Sequence, residues 1–240
     1  KKSNLGKRIT KDEAEYFVKR YDFPATKSIS LFGNRSNIAS YESRKTSPNV
    51  MIFGGDENYL LLNGFTLQVG RNFNRMDVQT GRNVCILGYD VAQKLFKEGI
   101  ERAVNAVVKI NNIPYRVLGV LESRGSTFGF SRDNVILTTY NNADRNFSSS
   151  GASFVIAVMA QDLLKVTEAM GEAEGIFRPI RKLNTTEESY EQPRVFNHFC
   201  YSYRFDNIDR CCYWAHEHHA RICFRTDQGG RACKSNWREK

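Results

Sequence analysis

Residues 1 to 192 of this 240-residue chain contain no histidine; all four histidines lie between His198 and His219. Ser-His and Cys-His nucleophile pairs are therefore excluded from the larger part of the chain, and a metal site there would have to be built from carboxylates. No Gly-x-x-x-x-Gly-Lys-Ser/Thr run occurs, so the backbone cradle of a phosphate loop is missing. No stretch approaches the roughly 20 consecutive apolar residues that a membrane-spanning helix needs. The chain opens on Lys1-Lys2-Ser3-Asn4 without an apolar leader core, and its start reads as an excised piece. Asp56, Glu57, Asp77 and Asp90 show no paired spacing on one element and read as caps or solvated surface. No catalytic, cofactor-binding or metal-ligating residue is assigned, and the chain reads as a non-enzyme.

The formal net charge is +9, but Lys and Arg are scattered and no basic run with interleaved aromatics is present. That distribution argues against a nucleic-acid partner, since counterion release rewards clustered cations. Cysteine is confined almost wholly to one end: five of six fall between Cys200 and Cys233, and both tryptophans, Trp214 and Trp237, lie at the same end. Composition breaks near Gln192. The exception, Cys85, sits in an apolar run and reads as a buried, inert small hydrophobe.

What is present before the break is a mixture of short elements. Thr10-Lys11-Asp12-Glu13 is a capping box that opens a helix carrying Ala14, Phe17, Val18 and Tyr21 on one side. Short strands are expected at Ser28-Phe32, Asn37-Tyr41, Val50-Phe53 and Phe65-Val69, with a brief helical turn at Tyr59-Leu62. Asn83-Leu87 is an apolar run ending at Gly88, after which Val91, Ala92, Leu95 and Phe96 recur at helical spacing, a β-α step. Asn111-Asn112 tolerates positive φ and suits a hairpin turn between Val107-Ile110 and Tyr115-Leu121. A strand at Asn134-Thr139, a polar loop over Asn141-Gly151, a strand at Ser153-Met159 and a helix from Asp162 complete the reading. The fold class is α+β, with mixed sheets and flanking helices, and Val84, Ile86, Val117, Leu118, Val155 and Ile156 are expected in the core.

The loop Ser123-Ser131 holds two glycines, several hydroxyls and the aromatics Phe128 and Phe130. It lacks phosphate-loop spacing. Exposed aromatic side chains bring large contact area at low entropic cost, so Phe128 and Phe130 are the candidate partner contacts.

Three segments in series carry a family resemblance: Asp56-Glu57-Asn58-Tyr59-Leu60 through Gly64-Phe65, Gly70-Arg71-Asn72-Phe73, and Gly81-Arg82-Asn83-Val84-Cys85-Ile86-Leu87-Gly88-Tyr89-Asp90-Val91-Ala92. Pro114 to Glu122, Gly125 to Ser131 and Asp133-Asn134 continue it. The series resembles the MacB-like periplasmic core domain of MacB/FtsX-type ABC-transporter permeases and covers most of residues 1–191. The resemblance implies a porter-like part with a second, smaller subdomain, placed on the periplasmic side of the inner (cell) membrane between two membrane helices. It further implies an ABC ATPase subunit or domain that binds ATP elsewhere, a permease homodimer, a periplasmic adaptor and an outer-membrane channel. The function implied is coupling of ATP hydrolysis on a partner to export or mechanical work across the envelope. A stand-alone periplasmic binding or adaptor module is the alternative, and a zinc module built on the C-terminal cysteines and histidines is a third.

Residues 192–240 depart from the family pattern, which continues into an apolar membrane helix. Asp209 to Ala220 can be reverse-translated so that a one-base shift reads IGAAIGLMNIML, and the single codon of Trp214 then forces a glycine where the pattern has one. The segment reads as an aberrant, out-of-frame tail expected to be irregular and to pack little against residues 1–191. Adjacent Cys211-Cys212 and His218-His219 lack the ligand separations of zinc fingers.

Overall fold

A computed structural model describes residues 8–97, 99–123, 126–127, 130–131, 133–148, 152–182 and 221–226. Among the described residues, six α-helices and thirteen strands run in the order α1 (Lys11–Arg20), β1 (Ala25–Phe32), β2 (Ala39–Tyr41), β3 (Arg44–Lys45), β4 (Met51–Gly55), α2 (Tyr59–Leu62), β5 (Leu67–Gly70), α3 (Arg75–Thr80), β6 (Val84–Leu87), α4 (Tyr89–Phe96), β7 (Val107–Ile110), β8 (Ile113–Leu121), β9 (Ser126–Thr127), β10 (Phe130–Ser131), β11 (Val135–Thr139), α5 (Tyr140–Phe147), β12 (Phe154–Ala160), α6 (Val166–Arg181) and β13 (Arg221–Thr226). Eleven strands form one sheet in the order β13-β12-β1-β4-β11-β6-β8-β7-β2-β3, with β5 attached to β8, and β9 pairs with β10 separately. The pairs β4/β11, β6/β8 and β12/β13 are parallel and the rest antiparallel, so the α+β class with mixed pairing holds.

Alternate residues of the central strands enter two apolar clusters. Val84 and Ile86 of β6, Val135 and Leu137 of β11, and Leu118 and Leu121 of β8 belong to one, with Phe17 of α1 and Ala173 of α6. Cys85 and Leu87, Ile136, and Val117 and Val120 belong to the other, with Val91, Ala92, Leu95 and Phe96 of α4. Side chains one residue apart on a strand point to opposite faces, so both faces of the sheet's middle are covered. This is why β6 and β11 read as continuous apolar runs rather than alternations.

The β7-β8 hairpin turns on Asn111 and Asn112, with φ of 47° and 70°, the geometry in which asparagine is tolerated. Pro114 is accommodated because β6 meets β8 only from Arg116 onward, leaving β7 as the neighbour at Pro114. Val155 departs from expectation. It is half-buried, alternating with the buried Phe154, Ile156 and Val158 on a strand covered well on one face only.

The largest revision concerns the polar loop expected over Asn141-Gly151, where α5 is found instead. Thr139 caps it by accepting from the Asn142 amide, and Tyr140, Ala143 and Phe147 are its buried positions. Asn142 is fully buried: its Nδ2 donates to the Gly81 and Arg82 carbonyls and to Asn83 Oδ1, and its Oδ1 accepts from Tyr115. Asn146 Nδ2 donates to Tyr115 Oη at 2.8 Å. Polarity in this stretch thus marks an internal network rather than solvent exposure. A short helix unforeseen in the sequence, α3, is opened by a capping box of Asn74 and Asp77 and closed by Gly81 at φ 58°.

Helices α1 and α6 pack together. Tyr21 Oη donates to the Ala169 carbonyl at 2.9 Å, and the phenyl rings of Phe17 and Phe177 meet edge to face. Arg181, only 5% exposed, donates to the Arg8 carbonyl at 2.8 Å and to Glu13 at 3.1 Å. Glu13 also receives the Thr10 amide in the capping box read from the sequence, so one carboxylate serves both helices.

The C-terminal segment was expected to be irregular, yet Arg221–Thr226 runs parallel to β12. Ile222 and Phe224 alternate with Arg221, Cys223 and Arg225 there, a two-residue period that fits an extended strand.

The Asn142 network sets a prediction. Asn142→Leu leaves the buried Tyr115 hydroxyl without its acceptor and removes the donor shared by the Arg82 carbonyl and Asn83 Oδ1, and should cost about 3 kcal/mol of unfolding free energy in urea titration, whereas Tyr115→Phe should cost about 1 kcal/mol. Equal costs would show that the network is not the determinant.

Candidate partner-contact surface

The sequence singled out the loop Ser123-Ser131, of which Ser123, Ser126, Thr127, Phe130 and Ser131 are among the described residues. Strand β8 ends at Leu121, β9 and β10 pair antiparallel through Thr127 with Phe130 and Ser126 with Ser131, and the chain re-enters the sheet at β11. Phe128 lies outside the described residues, as do Arg124, Gly125, Gly129 and Arg132. For Phe130 the backbone position in β10 is defined.

What is fixed in detail is the base of this hairpin. Ser123 Oγ donates to Asp133 Oδ2 at 2.8 Å, joining the outgoing and returning limbs. Glu122 is held twice by Thr66: its amide donates to the Thr66 carbonyl at 2.9 Å, and its carboxylate accepts from Thr66 Oγ1 at 2.6 Å. On the returning limb the Asp133 carbonyl accepts from the Asp90 amide, and the Val135 carbonyl from the Gly88 amide at 2.8 Å. Asn134 Nδ2 reaches the Asn49 carbonyl at 2.9 Å. A Cβ on Gly88 would stand 2.2 Å from the Asp133 carbonyl oxygen, so the β6-α4 joint and the hairpin's return limb approach as closely as backbone allows. The hairpin therefore leaves a base tied to the links just before β4 and β5 and to the start of α4, the arrangement by which loops carry contacts on a rigid scaffold.

Cys85 is fully buried, and burial pushes its thiol far above the usual range, which makes it unreactive. Asp77 feels burial, which raises its pKa, but Arg71 at 2.8 Å and the Asn74 amide outweigh this and hold the carboxyl below the usual range. The four carboxylates that the sequence reading left unassigned thus include a helix cap at Asp77 and an internal one at Asp56. Asp56 is 9% exposed and accepts from Ser28 Oγ at 2.7 Å, the Ile29 amide at 2.7 Å and the Asn58 amide at 3.1 Å. Desolvation nonetheless dominates over these hydrogen bonds and lifts its pKa from 3.8 to about 6. Among the described residues no group of three or more His, Cys, Asp or Glu side chains could hold a metal ion. The cysteines and histidines of the C-terminal cluster lie outside the described residues, Cys223 excepted, which is placed by its backbone alone. No helix among the described residues is long and apolar enough to cross a membrane.

Comparison with known proteins places this arrangement. Residues 3–176 match the family model described as MacB-like periplasmic core domain, and the chain belongs to that family. The pyoverdine export ATP-binding/permease protein PvdT of Pseudomonas savastanoi pv. phaseolicola is 30% identical over 139 residues, 58% of this chain and 21% of that protein. The chain thus spans about a fifth of the length of that curated relative. Among solved structures, the periplasmic region of MacB from Actinobacillus actinomycetemcomitans superposes with a TM-score of 0.59 at 16% identity, covering 74% of this chain and 76% of that one. The extracellular domain of the noncanonic ABC-type transporter YknZ from Gram-positive bacteria gives 0.57 at 19%, covering 74% and 86%. These likenesses establish a shared fold, and the chain is a periplasmic domain related to export permeases of the MacB/PvdT kind.

Asp56 supplies a pH prediction. Its pKa is higher folded than unfolded, so the stability it adds is fully present below about 3.8 and is lost as pH rises through about 6. A carboxyl carbon titration by NMR should place the Asp56 midpoint near 6. A midpoint at or below 4 would mean that its three donors outweigh desolvation.

Proposed function

We propose that this chain is the extracytoplasmic domain of an ABC-transporter permease that couples ATP hydrolysis on a partner to export or mechanical work across the envelope. The observation that carries this reading is the family match over residues 3–176, together with relatives named as ATP-binding/permease proteins. The chain itself has no phosphate-loop signature, so ATP belongs to a separate or fused nucleotide-binding domain. Its place is the periplasmic face of the inner membrane. The partners that follow are the ABC ATPase, a second permease copy, a periplasmic adaptor and an outer-membrane channel.

Within that assembly the β9-β10 hairpin is the contact element, with Phe128 and Phe130 as its anchors. A domain that passes motion from one protein to another needs a surface whose contacts differ between two states. It also needs that surface attached to something stiff, and the Ser123-Asp133, Thr66-Glu122 and Gly88-Val135 bonds supply the attachment. Residues 192–240 are read as an out-of-frame tail without a selected role, residues 1–191 being the functional domain.

Two measurements test this. Phe128→Ser/Phe130→Ser in the full-length permease should reduce transport and adaptor pull-down at least tenfold while the circular dichroism and melting temperature of the domain stay unchanged. Unaltered transport and pull-down would leave the loop without a partner role. Titration calorimetry of the chain with Mg-ATP should give no saturable heat, and saturable binding would overturn the assignment of ATP to another domain.

A further inference from the structure

Asn63-Gly64 is the only Asn-Gly pair in the chain. In such a pair the backbone can cyclise onto the side chain, because a nitrogen whose own residue has no Cβ meets little hindrance as it approaches the side-chain carbonyl carbon. The pair lies in one of the segments that carry the family resemblance, yet neither the partner surface nor the transport reading uses it.

The pair stands at the end of α2, and there the two groups that would react are held apart. Asn63 Nδ2 donates to the Tyr59 carbonyl at 2.9 Å, which ties the side-chain amide back along the helix. The Gly64 amide donates to the Leu61 carbonyl at 3.1 Å, so the proton that must leave the nucleophile is engaged. Asn63 has a ψ of 4°, which eclipses the Gly64 nitrogen with the Asn63 nitrogen and turns it away from the side chain with which a ring would close. Gly64 at φ 61° and the Phe65 amide, which donates to the Leu60 carbonyl at 2.8 Å, complete the turn. The rings of Tyr59 and Phe65 stack across it with centroids 6.2 Å apart. Helix α2 is only four residues long, and a helix of that length is not stable by itself. Its C-terminal turn therefore opens at a lower free energy than the sheet, and one opening frees ψ, Nδ2 and the Gly64 amide together.

We propose that Asn63 is a site of spontaneous deamidation, held unreacted by the closed α2 turn and released when that turn opens. In the open turn the Gly64 nitrogen gives its proton to solvent hydroxide and attacks Asn63 Cγ. The new N–C bond forms, the Cγ–Nδ2 bond breaks, and Nδ2 leaves as ammonia with a proton taken from water. Water then adds to either carbonyl of the succinimide and opens it to aspartate or isoaspartate, with no oxidant or reductant involved. The change runs one way. A carboxylate at position 63 cannot donate to the Tyr59 carbonyl, and isoaspartate adds a methylene to the main chain between the stacked rings of Tyr59 and Phe65, so the closed turn is not recovered.

Peptide mass mapping of the full chain at neutral pH tests this by following conversion of amide to acid at each asparagine. In concentrated urea, Asn63 should convert faster than any other asparagine and at least tenfold faster than it does in buffer. In a urea series its rate should already climb at concentrations where the circular dichroism of the domain is still native. Phe65→Ala, which removes the ring stacked on Tyr59, should raise the rate in buffer at least fivefold while the spectrum stays native. Equal rates in buffer and in concentrated urea would overturn the protection. Conversion in urea no faster than at other asparagines would overturn the site. A rate that stays flat until the whole domain unfolds, or that Phe65→Ala leaves unchanged, would overturn the turn as the gate. If Phe65→Ala fails to fold, the urea series on the unaltered chain decides.

Discussion

The domain depends on one constraint: β11 is buried along its whole length on both faces. All five residues from Val135 to Thr139 are buried, with a parallel neighbour in β4 and an antiparallel one in β6. Such a strand can satisfy its backbone only within the sheet, because no solvent reaches it. Thr138, fully buried, therefore turns its hydroxyl to the Val84 carbonyl at 2.9 Å. Both apolar clusters take residues from this strand, Val135 and Leu137 on one side and Ile136 on the other. The hairpin's return limb and helix α5 are its immediate continuations in sequence, so the position of β11 sets where each of them can go.

That arrangement explains how much of the fold was legible in the sequence. The β6-α4 step, the Asn111-Asn112 turn and the Thr10-Glu13 capping box are decided by residues within one turn or one strand of each other, and each stands where local rules put it. Helix α5 was not legible. Its buried residues include Asn142, whose partners Gly81, Asn83 and Tyr115 come from β8 and from the link before β6, and no local window contains them. Helix α3 was missed for a different reason: its signals, the Asn74-Asp77 box and Gly81, are local, but its single turn and a half is too short to show an apolar period. For the contact surface, the sequence marked the loop and its aromatics, while the bonds that stiffen its base join Thr66, Asp90 and Asn49 from three well-separated parts of the chain.

Burial here is tolerant of charge only where a partner is built in. Asp77 sits against Arg71 and the Asn74 amide, and Arg181 against a carbonyl and Glu13. Asp56 lacks a cation and relies on neutral donors, which is why its ionised form is disfavoured. The tyrosines show the same rule in milder form: burial first, then the Glu172 carboxylate, pushes Tyr21 up to about 12 and keeps it a donor to Ala169. The buried Asp56, Asp77 and Arg181 have thus each been given specific hydrogen-bond companions.

The bond from Arg181 to Arg8 and Glu13 also has a bearing on synthesis. Helix α1 is among the first parts of the domain to leave the ribosome, yet the residues that cover Phe17 and receive the Tyr21 hydroxyl belong to α6, made some 150 residues later. At about 5–20 residues per second that interval lasts on the order of 10–30 seconds. For that time the apolar side of α1 has no α6 to rest on, so its cover arrives only when most of the domain has been made.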